Sequence, residues 1–494
     1  MSKKPMTFKE YKKLNLSQIS DEILSYWADN DIFKKSIEKS NDKNPFIFYE
    51  GPPSANGLPG IHHVLARSIK DIFLRYKTMK GYSVQRKAGW DTHGLPVELG
   101  VENALGITKE DIGKKITIED YNNECKKAVM KYTDIWNDLT KKMGYWVDVD
   151  KPYITYTPKY MESVWWILKE IYNKDLMYKG YTIQPYSPKA GTAISSHELN
   201  QPGTYQDVTD TTVTAQFKLK KAELPKFLNS DDEIFVLAWT TTPWTLPSNT
   251  ALTVGPKINY SLIKSFNQYT GSRADYIVAE DLISKQFSGN YYETSDLDEI
   301  NKYEFDSKQI PFIKISTFKG KDLENIKYEQ LLDYAKPFDN PENAFRIITG
   351  DFVTTTDGTG IVHTAPTFGA DDAFVAKNAK PPIPPMLVKD EFGDLVPLVD
   401  LQGKFRPEMG EFSGKLVKNE YYDSKSMPEK SVDVEIAIKL KIENKAFRVE
   451  KYKHSYPNCW RTDKPILYYP IDSWFISASK YRNKMVSLNK KINW

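Results

Sequence analysis

Residues 44–91 carry the pattern that most restricts how this chain can fold. The apolar and aromatic run "NPFIFYE" at 44–50 is typical of a strand buried on both faces. "GPPSANGLPG" at 51–60 interrupts this run with turn-forming glycines and prolines. Apolar residues then recur at helical spacing until Gly81, and "YSVQRKAGWD" at 82–91 fits a second strand. The order strand, turn, helix, strand predicts a parallel α/β sheet with a right-handed crossover.

The rest of the chain changes character twice. Apolar spacing of three or four predicts one helix from Ile118 to Met143, capped by Thr117, and Thr157-Pro158 opens another helix. Strand patterns dominate from about residue 196, and helical periodicity returns only after Ser431. We therefore expect an α/β fold, a Rossmann-type parallel sheet interrupted by an inserted β-rich domain. The expected segments are a helical lead-in at 1–43, the first part of the sheet domain at 44–195, the insertion at 196–444 and a truncated return at 445–494.

Length, charge and cysteine content narrow the class of protein. A chain of 494 residues predicts two or three domains, and 68 basic against 65 acidic residues excludes a strongly basic nucleic-acid footprint. Cys125 and Cys459 cannot form a disulfide framework, which favours a reducing compartment. The chain has neither an apolar signal-peptide core nor a run of 18 apolar residues. We expect a cytoplasmic protein that does not enter a membrane.

"GIHH" at 60–63 places two histidines where the Gly/Pro turn meets the helix. A turn between a buried strand and a helix N-terminus can bind phosphate, because free N–H groups and the helix dipole point toward it. An imidazole on the first turn can donate to that phosphate. From these residues alone, the more common interpretation of His62 and His63 is a helix cap and a surface residue.

Longer motifs add a family resemblance. "GPPSANGLPGIHHVLARSIKD" followed by "GWDTHGLPVE" resembles the N-terminal catalytic half of class I aminoacyl-tRNA synthetases, in particular the isoleucine-specific branch. The resemblance implies a Rossmann catalytic domain that joins isoleucine to ATP, with Mg²⁺, and passes the acyl group to tRNA(Ile). It also implies that the chain is an N-terminal part of the enzyme, because the second ATP signature and the anticodon-binding helices would lie beyond Trp494.

The resemblance assigns roles to individual residues. It implies that Gly51 and Pro52 line the isoleucine pocket and that Asp91 pairs with the substrate ammonium, a charge-assisted hydrogen bond. Trp474 matches the aromatic wall of that pocket, although a tryptophan is more often a core residue. The residues implied to bind ATP are Asn56, Gly60, His62 and His63, the last two as catalytic residues.

The signature departs from the family pattern. The family motif reads His-x-Gly-His, whereas this chain has Gly60-Ile61-His62-His63, so the first histidine and the glycine have exchanged places. His63 matches the last histidine of the motif. We expect His62 to substitute in part for the displaced histidine.

Two segments of the β-rich region resemble the walls of the family's editing pocket, which hydrolyses tRNA carrying the wrong amino acid. They are "LAWTTTPWTLPSNTALTV" at 237–254 and "GTGIVHTAPTFGADDAF" at 358–374. Taken alone, the threonines fit an ordinary strand and Asp371-Asp372 fit a helix cap. The residues that the resemblance assigns to editing are Thr240, Thr241, Thr242, Asn249, His363 and Asp372.

The same comparison predicts no structural zinc. Family members often carry a zinc site of four cysteines, and the matching residues here are Ser187, Ala190, Cys459 and Thr462. One thiolate cannot form a tetrahedral structural site. The leading hypothesis is an isoleucine-specific ligase with hydrolytic editing of valyl-tRNA(Ile). The alternatives are a free-standing aminoacyl-tRNA deacylase and an inactive nucleotide-binding module.

Overall fold

The computed structural model describes residues 13–39, 44–221 and 224–492. The chain forms two compact units, one of Met1–Tyr178 with Ile476–Trp494 and one of Lys179–Phe475. Parts of the expected lead-in, at 1–12 and 40–43, lie outside the described residues. Within the described ranges, no helix combines the length and the apolar character that crossing a bilayer requires.

The first unit is built mainly of helices around a small sheet. Its elements up to Tyr172 are α1 (Leu16–Asp29), α2 (Ile32–Glu38), β1 (Phe48–Tyr49), α3 (Ile61–Met79), β2 (Arg86–Trp90), α4 (Leu95–Leu105), α5 (Ile118–Val129), α6 (Thr133–Lys142), β3 (Asp148–Ile154) and α7 (Pro158–Tyr172). The strands β1, β2 and β3 are parallel, with Phe48 opposite Arg86 and Trp90 opposite Ile154. The predicted strand–turn–helix–strand order and the parallel sheet are confirmed.

The burial of β1 differs from the sequence prediction. The 44–50 run was expected to be buried on both faces, but Ile47 is 79% exposed and Tyr49 is 65% exposed. Only the alternate residues Phe46 and Phe48 pack on the small core around Leu74. The prediction was wrong because β1 is an edge strand with one covered face among the described residues.

Two helices also differ from their sequence patterns. The apolar stripe of α3 is exposed, and the buried residues of that helix are Arg67 and Leu74. The single helix expected from Ile118 to Met143 is two helices, α5 and α6. They separate at Tyr132, whose N–H donates to the Ala55 carbonyl at 3.0 Å. Thr117 caps α5 as expected, since its hydroxyl accepts from the Asp120 N–H at 3.1 Å.

The second unit is rich in β-structure. Its strands are β4 (Met177–Ser187, which begins in the first unit), β5 (Thr192–Ala193), β6 (Tyr205–Lys218), β7 (Ile234–Thr240), β8 (Ala251–Val254), β9 (Asn259–Phe266), β10 (Arg273–Ala279), β11 (Tyr291–Glu293), β12 (Ile310–Lys319), β13 (Arg346–Thr349), β14 (Ile361–Thr364), β15 (Leu387–Lys389), β16 (Leu395–Pro397), β17 (Ala446–Cys459), β18 (Lys464–Pro465) and β19 (Leu467–Ile476, which ends in the first unit). Its helices are α8 (Ser196–Leu199), α9 (Ile283–Gln286), α10 (Leu297–Asn301), α11 (Ala370–Asn378) and α12 (Val432–Ile442). The last helix of the chain, α13 (Arg482–Asn489), belongs to the first unit.

An eleven-stranded mixed sheet forms the centre of the second unit. Its middle strand β7 pairs in parallel with β10 and β14 and antiparallel with β6. The long strand β17 lies antiparallel along β6, from Ala446 opposite Ala215 to Pro457 opposite Tyr205. One large apolar core covers this sheet. The ends of β7 and β14 bring the two predicted editing segments together.

Candidate functional site

The turn at 51–60 leads into α3, and His63 caps that helix. Its Nδ1 accepts a hydrogen bond from the Gly60 N–H at 2.9 Å, and its ring packs edge-on against Trp136 at 4.7 Å between centroids. A neutral imidazole that accepts at Nδ1 carries its proton on Nε2. Burial, with smaller contributions from His62 and Arg67, lowers the pKa of His63. His63 therefore offers an Nε2–H donor beside the helix N-terminus at neutral pH.

His62 and Gly60 are coupled by packing. The His62 ring folds back over Gly60, and a Cβ at residue 60 would lie 2.7 Å from His62 Cε1 and 2.9 Å from Nδ1. The rings of His62 and His63 are 3.8 Å apart. The glycine at 60 thus leaves room for the histidine at 62, which accounts for the exchange of the two residues in the signature.

The other residues expected at the activation site lie in separate parts of the chain. Asp91 follows β2 and is exposed. Its N–H donates to the Pro53 carbonyl at 3.0 Å, and this bond joins the turn at 51–60 to the end of β2. Gly51 is exposed and Pro52 half-buried in the same turn. Trp474 lies on β19 in the second unit and is 61% exposed.

A buried carboxylate that no sequence motif indicates supports the start of this turn. Glu50, which is 3% exposed, accepts from Lys70 Nζ at 2.6 Å and from the hydroxyl of Tyr145. Its carbonyl accepts from the hydroxyl of Tyr153 on β3. These partners come from α3 and from residues about a hundred positions away, so no local pattern indicates them.

The second unit contains a cavity of about 390 Å³ lined by both predicted editing segments. Five of the six residues assigned to editing line it: Thr240, Thr241, Thr242, His363 and Asp372. Thr240 ends β7 and the other two threonines follow it, His363 lies on β14, and Asp372 is in the first turn of α11. The sixth residue, Asn249, is 2% exposed and lies behind His363 instead of lining the cavity.

The threonines contact one another at the cavity wall. The Thr242 N–H donates to Thr240 Oγ1 at 3.1 Å, and the two hydroxyl oxygens are 3.3 Å apart. Thr241 is half-buried and also lines the cavity. Thr240 and Thr242 therefore bring two adjacent hydroxyls, each able to donate and accept, to the cavity wall.

His363 is held on both ring nitrogens. Nδ1 lies 2.9 Å from Asn249 Nδ2, and Nε2 lies 2.9 Å from Thr245 Oγ1. Burial lowers the pKa of His363 to about 3. The ring is neutral at physiological pH, and both of its nitrogens have protein partners. The two bonds fix the orientation of the ring in the cavity wall. They leave neither ring nitrogen free for proton transfer.

Asp372 supplies the acidic group of the cavity. Its Oδ2 accepts from the Ala365 N–H at 2.8 Å, and burial raises its pKa to about 6. Gly369 allows this placement, because a Cβ there would lie 2.7 Å from Asp372 Cγ and Oδ2. The carboxyl group can therefore be ionised at pH 7 and pair with a cation that enters the cavity.

Residues outside the quoted motifs also line the cavity. Phe352, Thr354 and Asp357 come from the loop before β14. Asp357 is bound by Lys285 and by the hydroxyl of Tyr452 on β17. The loop reads "DFVTTTDGTG", and its polar run was the only signal that could have indicated these residues.

The residues at the zinc-like positions do not fit a metal. Cys459 is fully buried, and the Ser187 hydroxyl accepts from the Ala190 N–H at 3.2 Å. Across the parts of the chain that the structure describes, no group of three or more His, Cys, Asp or Glu side chains could hold a metal ion. The absence of zinc in the protein stays a prediction.

Comparison with known proteins identifies the class. The family described as "tRNA synthetases class I (I, L, M and V)" matches residues 22–494, and the chain belongs to this family. It is 57% identical to the isoleucine–tRNA ligase of Cytophaga hutchinsonii over 98% of this chain and 43% of the relative. It is 54% identical to the isoleucine–tRNA ligase of Bacteroides fragilis over 100% of this chain and 44% of the relative. The corresponding Clostridium tetani protein is 41% identical over 98% of this chain and 41% of the relative.

The chain thus spans less than half the length of these relatives. Among solved structures, it is similar to one described as GlLeuRS-CP1, with a TM-score of 0.30 and 14% identity over 48% of this chain and 96% of that one. A second is a ternary complex of Agrobacterium radiobacter K84 agnB2 LeuRS, with a TM-score of 0.29 and 16% identity over 53% of this chain and 40% of that one.

Proposed function

We propose that this chain is the activation and editing part of an isoleucine–tRNA ligase. The observation that carries the proposal is the cavity in which Thr240–Thr242, His363 and Asp372 meet although more than a hundred residues separate the two segments. The shared name of the relatives supports the same activity. The substrates are isoleucine, ATP with Mg²⁺ and tRNA(Ile). The free thiols of Cys125 and Cys459 support a cytoplasmic location.

The proposed architecture is a Rossmann-type catalytic domain, preceded by a helical lead-in at 1–43 and interrupted by an editing domain. The sequence puts the catalytic segments at 44–195 and 445–494 and the insertion at 196–444, whereas the compact unit Lys179–Phe475 supports wider limits for the insertion. The parallel sheet β1–β2–β3 supports the first part of this assignment. The antiparallel pairing of β6 with β17 supports an insertion, because it places the segments near residues 205 and 457 side by side.

In the activation reaction, isoleucine attacks the α-phosphate of ATP and pyrophosphate leaves. Asp91 would pair with the ammonium of isoleucine, with Gly51 and Pro52 as pocket walls. His63 would donate its Nε2–H to the phosphate chain, where charge develops. Asn56, Gly60 and His62 are proposed to contact the nucleotide. The cap between His63 Nδ1 and the Gly60 N–H supports this role, because it fixes the donor on Nε2.

Binding alone cannot separate isoleucine from valine well enough, and editing removes the errors that remain. One methylene changes binding by only about 1–3 kcal/mol, and isoleucine–valine discrimination is the standard example of this limit. A second site that hydrolyses valyl-tRNA(Ile) removes the error. Asp372 would bind the ammonium of the esterified valine through Oδ1, while the threonine hydroxyls contact the ester and the attacking water. The grouping of these side chains around one cavity supports this assignment.

Deacylation of valyl-tRNA(Ile) by the 494-residue chain tests the editing proposal. The value of kcat/KM should rise with pH through about 6 as the Asp372 carboxyl ionises, after subtraction of spontaneous hydrolysis. Asp372→Asn should lower this value roughly 10- to 100-fold, the effect of losing one charge-assisted hydrogen bond, and flatten the profile. Asp371→Asn, on the exposed neighbour in α11, is the matched control and should remain near the unmodified rate. Equal loss in both variants would contradict the anchor role of Asp372.

Isoleucine-dependent ATP–pyrophosphate exchange by the complete gene product tests the activation proposal. His63→Ala should lower the rate of adenylate formation by about 10²-fold, equivalent to about 2.7 kcal/mol. The affinity for isoleucine should change far less, because Asp91 binds that end of the substrate. Deacylation without exchange would favour the free-standing deacylase, and nucleotide binding without either activity would favour the inactive module.

A further inference from the structure

Behind the cavity wall, four buried side chains form one continuous hydrogen-bonded chain. The Tyr328 hydroxyl lies 2.6 Å from Asn249 Oδ1, and Asn249 Nδ2 lies 2.9 Å from His363 Nδ1. His363 Nε2 is 2.9 Å from Thr245 Oγ1, which donates to the Thr242 carbonyl at 2.8 Å. The chain therefore joins the apolar core of the second unit to the cavity.

The direction of every bond in this chain is determined by chemistry. Asn249 Nδ2 also donates to the Ala251 carbonyl at 2.8 Å, so the amide nitrogen must face Ala251 and His363. Its oxygen then faces Tyr328, whose hydroxyl must donate. Because His363 accepts at Nδ1, its proton is on Nε2 and is donated to Thr245.

The end of the chain at Tyr328 and Asn249 is closed to water. Tyr328 is fully buried, Asn249 is 2% exposed and His363 is 7% exposed. The Tyr328 ring packs edge-on against Phe217 and Phe345, at 5.5 and 6.2 Å between centroids. No solvent molecule can replace the hydroxyl of Tyr328 as a donor without opening this core.

We propose that Tyr328 is a positioning residue of the editing cavity. Its bond to Asn249 Oδ1 and the bond from Nδ2 to the Ala251 carbonyl together hold the amide in the orientation that leaves the His363 proton on Nε2. Without the Tyr328 hydroxyl, this orientation leaves a buried oxygen without a donor, and that cost opposes the remaining bond to Ala251. Other amide orientations and the second tautomer of His363 then become populated. The predicted effect on hydrolysis rests on the proposed editing function. The predicted tautomer of His363 is independent of that function.

Nitrogen-15 NMR of the histidine-labelled 494-residue chain tests the proposal. The unmodified protein should show His363 with a protonated Nε2 and a bare Nδ1, unchanged between pH 5 and 8. The Tyr328 hydroxyl proton should exchange slowly with solvent and lie close to the Asn249 side chain. In Tyr328→Phe, the two imidazole nitrogens should shift toward averaged values, and deacylation of valyl-tRNA(Ile) should fall roughly two- to tenfold.

Tyr276→Phe is the matched control, because Tyr276 is also fully buried and its hydroxyl has no hydrogen-bond partner in the described structure. This variant should change neither the imidazole signals nor the rate. Unchanged His363 signals in Tyr328→Phe would overturn the proposal, as would a rapidly exchanging Tyr328 hydroxyl in the unmodified chain. Altered signals with an unchanged rate would support the positioning role and count against the proposed role of this wall in hydrolysis.

Discussion

At the scale of single residues, Gly60 and His62 behave as one coupled unit. The His62 ring occupies the space that a side chain at residue 60 would need, with 2.7 Å between a Cβ at 60 and His62 Cε1. A histidine at 60 is therefore incompatible with His62 as it lies here, although the family motif has a histidine at that position. The exchange therefore keeps a second imidazole beside His63, but residue 62 carries it instead of residue 60.

We expect the substitutions Gly60→His and His62→Gly to be non-additive. Gly60→His alone forces the exposed His62 ring to move, at a cost of about 0.5–1.5 kcal/mol, because the ring must leave its present rotamer. His62→Gly in the same chain removes that overlap and recreates the family motif. A double-mutant cycle on thermal unfolding and on ATP–pyrophosphate exchange should give a coupling energy of about 0.5–1.5 kcal/mol. Simple additivity of the two substitutions would show that the exchange is not coupled.

The candidate sites could be predicted where the residues lie in continuous motifs. Thr240–Thr242, His363 and Asp372 were indicated by two such segments, and the structure brings them around one cavity. Thr245 lies in one of these segments, but nothing local shows that it accepts from His363. Tyr328 could not be predicted, because its partner Asn249 is 79 positions away. Such contacts depend on the packing of β-strands that are distant in sequence.

At the scale of secondary-structure elements, local caps were the most reliable signals. Thr117 caps α5 and Pro158 begins α7, as the sequence indicated. The break between α5 and α6 could not be predicted from periodicity, because it depends on the bond from Tyr132 to Ala55 in the distant turn. The exposure of the α3 stripe had no local signal either.

The start of α12 is joined to the threonine-bearing wall by a buried carboxylate. Asp433 Oδ1 accepts from the Trp244 N–H at 2.8 Å, in the 3-10 helix Pro243–Ser248 that follows the threonines. Lys418 Nζ lies 3.9 Å from Asp433 and 3.2 Å from Asp210. Burial raises the pKa of Asp433 to about 7. Between about pH 4 and 7 the folded state binds a proton that the unfolded state does not, so the stability that this proton contributes is lost as the pH rises from about 4 to 7.

Asp433→Asn should remove this pH-dependent cost while keeping an oxygen for the Trp244 N–H. We compare the free energy of unfolding of the variant with that of the unmodified chain at each pH. The difference, variant minus unmodified, should be about 2–3 kcal/mol larger at pH 8 than at pH 5, so the variant is relatively more stable at pH 8. Urea unfolding at both pH values measures the difference. Asp231→Asn, at an exposed position, is the control and should show no such change. A pH-independent effect of Asp433→Asn would mean that Asp433 is already ionised at pH 5.

At the scale of the whole molecule, the limits of the second unit decide which piece of the chain can fold alone. The sequence predicts an editing domain at 196–444, whereas the compact unit of the structure is Lys179–Phe475. The difference includes β17, which lies along β6, and Phe447, which is fully buried in the main core. A piece that ends at 444 lacks both.

We therefore expect residues 179–475, expressed alone, to unfold in one cooperative transition and to hydrolyse valyl-tRNA(Ile). Residues 196–444 should unfold at a temperature lower by roughly 10 °C or more, because losing the burial of Phe447 alone costs about 3–5 kcal/mol. That shorter piece also leaves β6 without its partner along one edge, which favours aggregation. Calorimetry and deacylation assays on both pieces measure the difference. Equal unfolding temperatures and rates would show that β17 contributes nothing to the editing domain, and would place its limits at 196 and 444.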